Sequence, residues 1–152
     1  VGRTAPVACL ATFETNYVPG VFQAIAYRNG VAVGRSELRT ASGSPHLSAR
    51  ADRDQITSGS HDLAYLSIAL ADEQETIFTT ATADVRVAVT GPGVLAGLQS
   101  DDPQSPEAFT SDQRRTFAGR ALAIIRPTGQ GTISATVSSE GFAPTTTLIR
   151  VD

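Results

Sequence analysis

Apolar and polar residues alternate along much of this chain with the period of two that a half-buried β-strand imposes. Val85, Val87 and Val89 take turns with Arg86, Ala88 and Thr90. Ala64, Leu66, Ile68 and Leu70 share one face of a second run, and Ile133, Ala135 and Val137 share one face of a third. Thr145 to Val151 is dense in β-branched side chains, which suit a pleated surface. Arg120 to Arg126 (RALAIIR) is apolar at both parities between flanking charges, which predicts a central strand buried on both faces.

Turn residues punctuate these runs. Asn29-Gly30 separates Val21–Tyr27 from Val31–Leu38, and both turn positions tolerate positive φ, so a type I′ hairpin is expected. Gly91-Pro92-Gly93, Thr128-Gly129-Gln130-Gly131 and the stretch from Gly141 to Pro144 close other runs. Short strands with a turn signal about every ten residues predict an all-β sandwich and argue against alternating βαβ units. The one helix-like stretch is Ser111 to Ala118, and within it Arg114 to Phe117 equally suits the start of a strand.

Ala41-Ser42-Gly43-Ser44-Pro45 has the composition of a linker. Residues 46–152 hold seven or eight strand candidates, enough for a complete immunoglobulin-like β-sandwich, whereas residues 1–43 hold three or four. The expected organisation is therefore residues 1–43 as the C-terminal part of one immunoglobulin-like sandwich and residues 44–152 as a complete second one. A part-sandwich leaves strand edges unpaired and about half a core, so it should need docking or additional strands.

Composition narrows the function classes. At 41% hydrophobic and 18% charged, with a net charge of −3, the chain can build a core. No apolar run approaches the roughly 20 residues of a membrane-spanning helix. All twelve basic residues are Arg, scattered along a chain with pI about 5.3, and this argues against nucleic-acid binding. Cys9 is the only cysteine, so no internal disulfide or multi-cysteine metal site exists. Val1-Gly2-Arg3-Thr4 shows neither an initiating Met nor a signal-peptide pattern, as expected of a mature or excised segment.

Candidate chemistry is sparse. Asp101, Asp102 and Glu107 lie in one Pro-rich loop and Asp72, Glu73 and Glu75 in another. General acid catalysis wants a carboxyl group with a raised pKa, whereas polar loops solvate carboxylates, so turn formation and solubility are expected of both groups. Asp102 before Pro103 is placed to bond backbone N–H groups of a turn. The first loop is also short of the six to eight oxygens that Ca²⁺ takes. His46 and His61 with one Cys complete no usual zinc set. Ser60-His61-Asp62 is contiguous, and neighbouring strand residues point to opposite faces, which disfavours a catalytic triad. Sugar rings stack on exposed aromatics; here there is no Trp, Tyr17 sits in a turn, and Tyr27 and Tyr65 fall in strands. Phe13, Phe22, Phe78, Phe109, Phe117 and Phe142 are expected in the core or at interfaces.

Both segments resemble the C-terminal immunoglobulin-like region of glycoside hydrolase family 2 enzymes, chiefly bacterial β-galactosidases. In the first the carrying residues are Tyr17-Val18-Pro19-Gly20, Ala24 to Gly30 and Leu38-Arg39-Thr40-Ala41, and Val1-Gly2-Arg3 resembles the end of a preceding hairpin, which would place a cut inside that domain. In the second they are Ala51-Asp52-Arg53, Asp62-Leu63-Ala64-Tyr65, Gly91-Pro92-Gly93, Asp102-Pro103-Gln104-Ser105, Phe117 to Ile124 and Ser138-Ser139-Glu140-Gly141. Where the family commonly has Asn-Gly-Asp-Pro, this chain has Ser100-Asp101-Asp102-Pro103, which changes the φ preferences of that loop.

The resemblance implies a parent enzyme that retains anomeric configuration through two Glu residues about 5 Å apart in a preceding (β/α)₈ barrel. Neither Glu maps onto this chain, so no catalytic, cofactor-binding or metal-binding residue is expected in it. The expected function is structural support of the barrel in carbohydrate degradation. The alternatives are a carbohydrate-binding module and an adhesion-type immunoglobulin-like repeat. Expected partners are the upstream domains of the parent and an oligosaccharide, with no nucleic acid and no membrane-spanning segment.

Overall fold

The computed structural model describes residues 2–59 and 61–152, which fall into two units, Val1–Thr40 and Ala41–Asp152. In the first unit, β1 (Val21–Arg28) and β2 (Val31–Arg39) form an antiparallel hairpin. Asn29 and Gly30 have φ of 51° and 81°, both left-handed as a type I′ turn requires. One face pairs Phe22 with Leu38, Ala24 with Ser36 and Ala26 with Gly34. The other carries Arg35, Glu37 and Arg39, with Arg39 Nη2 donating to Glu37 at 3.0 Å. Val7 and Leu10 close a tight turn through Ala8 and Cys9. Among the described residues of this unit two strands form, fewer than the three or four expected, because Ala5 to Pro19 has no alternating run to pair.

The second unit holds β3 (His46–Ala51), β4 (Gln55–Ile56), β5 (Ala64–Ala71), β6 (Asp84–Thr90), β7 (Gly93–Gln99), β8 (Gln113–Arg115), β9 (Arg120–Pro127), β10 (Gly131–Ser139) and β11 (Thr145–Val151). One sheet has the order β3-β5-β9-β7 and the other β4-β11-β10-β6-β8. In sequence order these are the ABED and CFG sheets of an immunoglobulin-type sandwich, with β8 added beside β6 and β4 running parallel to β11. The chain is all-β, as its alternating pattern predicts.

The alternating residues meet between the sheets. Leu66, Ile68, Leu70, Ala123 and Ile125 face Val85, Val87, Ile133, Ala135, Val137 and Ile149, each at most 2% exposed. Fully burying one such aliphatic side chain contributes about 1.5–3 kcal/mol. Gly91 turns the chain from β6 into β7 with φ of 87°, where a Cβ would collide with the Thr132 carbonyl oxygen.

Two expectations require correction, and one left open is decided. Of the helix and the strand that Ser111–Ala118 both suited, a strand forms, at Gln113–Arg115 (β8), with Arg114 turned inward between exposed Gln113 and Arg115. Strand β9 is central but not buried on both faces; Ala121, Ala123 and Ile125 are buried, while Leu122 and Ile124 on the outer face stay half-exposed. The phenylalanines do not build the fully buried core, which is aliphatic. Phe109 is 64% exposed and Phe117 43%, and Phe142 only flanks the core.

Candidate functional site

The most developed polar arrangement in the second unit is organised by Arg114. Strand alternation turns this side chain inward, where it is 2% exposed, and a guanidinium so placed must spend its donors on the protein. Its Nε and Nη2 donate to the Leu98 carbonyl at 3.2 and 2.8 Å, and Nη2 also to the Ala108 carbonyl at 3.0 Å. Its Nη1 donates to Ser105 Oγ, the Glu107 carbonyl and Glu107 Oε2 at 3.1, 3.2 and 3.1 Å. The guanidinium also lies 5.7 Å from the Phe109 ring centre. One side chain thereby fixes the loop that follows β7. Asp102 caps the start of that loop, its Oδ1 accepting the Gln104 N–H at 2.9 Å, which is the turn role expected of it.

Beside this loop lies a cleft of about 310 Å³, lined by Thr82, Asp84, Asp102, Gln104, Ser105, Pro106, Glu107, Arg115, Thr116 and Phe117. Asp102 and Glu107 reach its lining, whereas Asp101 does not. Arg115 sits 3.9 Å from Asp84 and donates to Thr82 Oγ1 at 3.4 Å. Sequence reasoning missed the cleft, because its walls come from three separate segments that only the fold brings together.

A second cluster ties β3 to the start of β5. Asp52 accepts the Tyr65 N–H at 2.8 Å and Arg53 Nε at 3.0 Å, while Arg53 Nη1 donates to Asp62 at 3.1 Å. Burial opposes the charge on Asp52, and the Tyr65 N–H and the Arg53 guanidinium outweigh it, holding its pKa below the usual aspartate range. Asp62 Oδ2 accepts the Thr57 N–H at 3.1 Å, so the carboxylate of the supposed triad closes a loop; Ser60 lies outside the described residues and His61 is exposed.

Asp72 corrects the expectation of a solvated loop carboxylate. It is 1% exposed, and accepts the N–H groups of Gln74 and Thr76 on Oδ1 and of Ser42 on Oδ2, at 2.9–3.0 Å. Desolvation pushes its pKa up, and these backbone donors prevail and hold it below the ordinary value. Glu73 is exposed, and Glu75 accepts from Ser48 Oγ at 2.7 Å and sits 3.7 Å from His46. Among the described residues no three His, Cys, Asp or Glu side chains gather to hold a metal ion. Cys9 is exposed in the first unit. The tyrosines are separated: Tyr17 bonds Thr40 Oγ1 at 3.2 Å, Tyr27 lies under Arg3 at 4.9 Å, and Tyr65 is 38% exposed on the outer face of β5.

An immunoglobulin-like sandwich whose charged side chains serve mainly to fasten loops is the class that this fold and these clusters define. Within that class the chain belongs to glycoside hydrolase family 2 C-terminal domain 5, whose pattern matches residues 47–147. It is 29% identical over 131 residues to the β-galactosidase BoGH2A of Bacteroides ovatus, a match covering 86% of this chain and 15% of that protein. A glycosyl hydrolase family 2 member from Bacteroides cellulosilyticus is similar in structure, with TM-score 0.83 and 26% identity over 90% of this chain and 18% of that one. A β-glycosidase from Bacteroides vulgatus shares the fold, with TM-score 0.80 and 19% identity over 89% of this chain and 18% of that one. The chain thus spans under one fifth of the length of these relatives.

Proposed function

We propose that this chain is the non-catalytic C-terminal sandwich region of a bacterial β-galactosidase-like enzyme and supports its catalytic part. The observation that carries this reading is the match to BoGH2A, which takes in most of this chain and only 15% of the β-galactosidase. The purified chain should release no nitrophenol from a nitrophenyl β-galactoside above the buffer rate. Release in proportion to chain concentration refutes the reading.

We further propose that residues 1–43 are the C-terminal part of a sandwich completed by strands outside this chain. The hairpin of β1 and β2 supports this, since its apolar side chains stay in solvent: Phe22 is 43% exposed, Val33 57% and Leu38 73%. Adding upstream residues of the parent should slow amide exchange in β1 and β2. Exchange that is unaffected by that extension counts against it.

A further inference from the structure

We propose that the cleft between the Arg114-anchored loop and strand β8 binds a neutral pyranose ring. The proposal is independent of the scaffolding reading, because the cleft lies wholly within residues 82–117 and requires no upstream domain.

At about 310 Å³ and open to solvent on one side, it would seat one ring against its floor and leave the ring's outer face in water. Part of its wall is held before any ligand arrives. Arg114 holds Ser105 and Glu107 on one side. Thr116 Oγ1 accepts the Ala83 N–H at 2.9 Å on another, and Phe117 is pinned by a two-way backbone turn with Arg120 at 2.9 Å. Preorganised walls lower the ordering cost of binding.

The lining chemistry then selects the ligand. Asp84, Asp102 and Glu107 offer carboxylate acceptors, Arg115 and Thr82 offer donors, and Gln104 offers both. Oδ2 of Asp102 and Oε1 of Glu107 have no partner among the described residues, the other oxygen of each being occupied. Such a set matches a ring bearing several hydroxyls, each able to donate and accept. Phe117 and Pro106 supply an apolar surface for the C–H face of the ring. A purely apolar ligand would leave the carboxylates unpaired. An anionic one would face three carboxylates with only Arg115 to offset them, since Arg114 is committed to Glu107.

The test is an amide-shift titration of the ¹⁵N-labelled chain with methyl β-galactopyranoside and methyl β-glucopyranoside, with glucuronate as the charged control. Shifts at Asp84, Gln104 and Phe117 should saturate with a millimolar Kd for one or both neutral glycosides, and glucuronate should bind more weakly. Phe117→Ala should weaken the neutral ligand about tenfold. Asp84→Ala, at a side chain 75% exposed, should weaken it several-fold. The proposal is overturned by shifts confined elsewhere on the sandwich, by glucuronate binding as well as the neutral glycosides, by no saturation with either, or by affinities unchanged in both variants.

Discussion

At the scale of single residues, charge in this molecule acts as a fastening. Arg114 offers a planar fork to carbonyls at two depths of the 98–108 segment, a geometry an ammonium group cannot reproduce. Arg114→Ala should cost about 1–3 kcal/mol of unfolding free energy, because the Leu98 and Ala108 carbonyls lose their donors. Arg114→Lys should recover only part of that loss. Urea unfolding of the three proteins measures it, and coincident midpoints would show that the loop holds without the fork. Asp72 and Asp52 carry the pH dependence. Both have folded-state pKa values below the ordinary one, so the stability they add is fully present above the unfolded aspartate pKa. It is lost as pH falls through their lowered folded values. Melting temperature should therefore fall steeply below about pH 4, and Asp72→Asn should melt lower at pH 7 while losing part of that acid slope. Gly91→Ala should destabilise by about 1–3 kcal/mol, since its left-handed φ and the Thr132 carbonyl both exclude a Cβ.

At the scale of elements, the legibility of each strand followed its surroundings. The runs of β5, β6 and β10 read clearly because one face of each looks into the core and the other into solvent, and the side chains report both. Strand β9 misled because its half-exposed outer residues, Leu122 and Ile124, are apolar too; sequence records hydrophobicity, and only the sheet order decides whether a layer lies above it. Strand β8 is three residues long, and its inward residue is an arginine, so it carried no apolar signal. For the same reason Arg114, which shapes the cleft, could not be chosen from twelve scattered arginines, while Asp102 could, because a turn before proline is a local matter. Core contacts also set the order of opening. Amide exchange should be slowest in β5, β9 and β10 and faster by orders of magnitude in β1 and β2, whose hairpin buries no apolar side chain. Equal protection in all five strands would contradict this.

At the scale of the whole molecule, every buried apolar residue among the described ones belongs to the span from Leu47 to Val151. A chain comprising residues 41–152 should therefore keep a single cooperative unfolding transition, checked by calorimetry; a broad, non-cooperative melt would show that residues 1–40 contribute to its core. Within that span the parallel pairing of β4 with β11 has a mechanical meaning. The Arg150 N–H bonds the Asp54 carbonyl at 2.8 Å, the Asp152 N–H bonds Ile56 at 3.1 Å, and the Ser58 N–H bonds Asp152 at 2.8 Å. Pulling on the two ends loads β3 against β5 first, and beyond it β4 and β11 lie side by side in the same direction, so that they cannot be peeled apart one bond at a time. The load falls across all of these bonds together, in shear. Stretched by its termini, this sandwich should lose β3 first and then hold at the β4–β11 pairing until those bonds fail together.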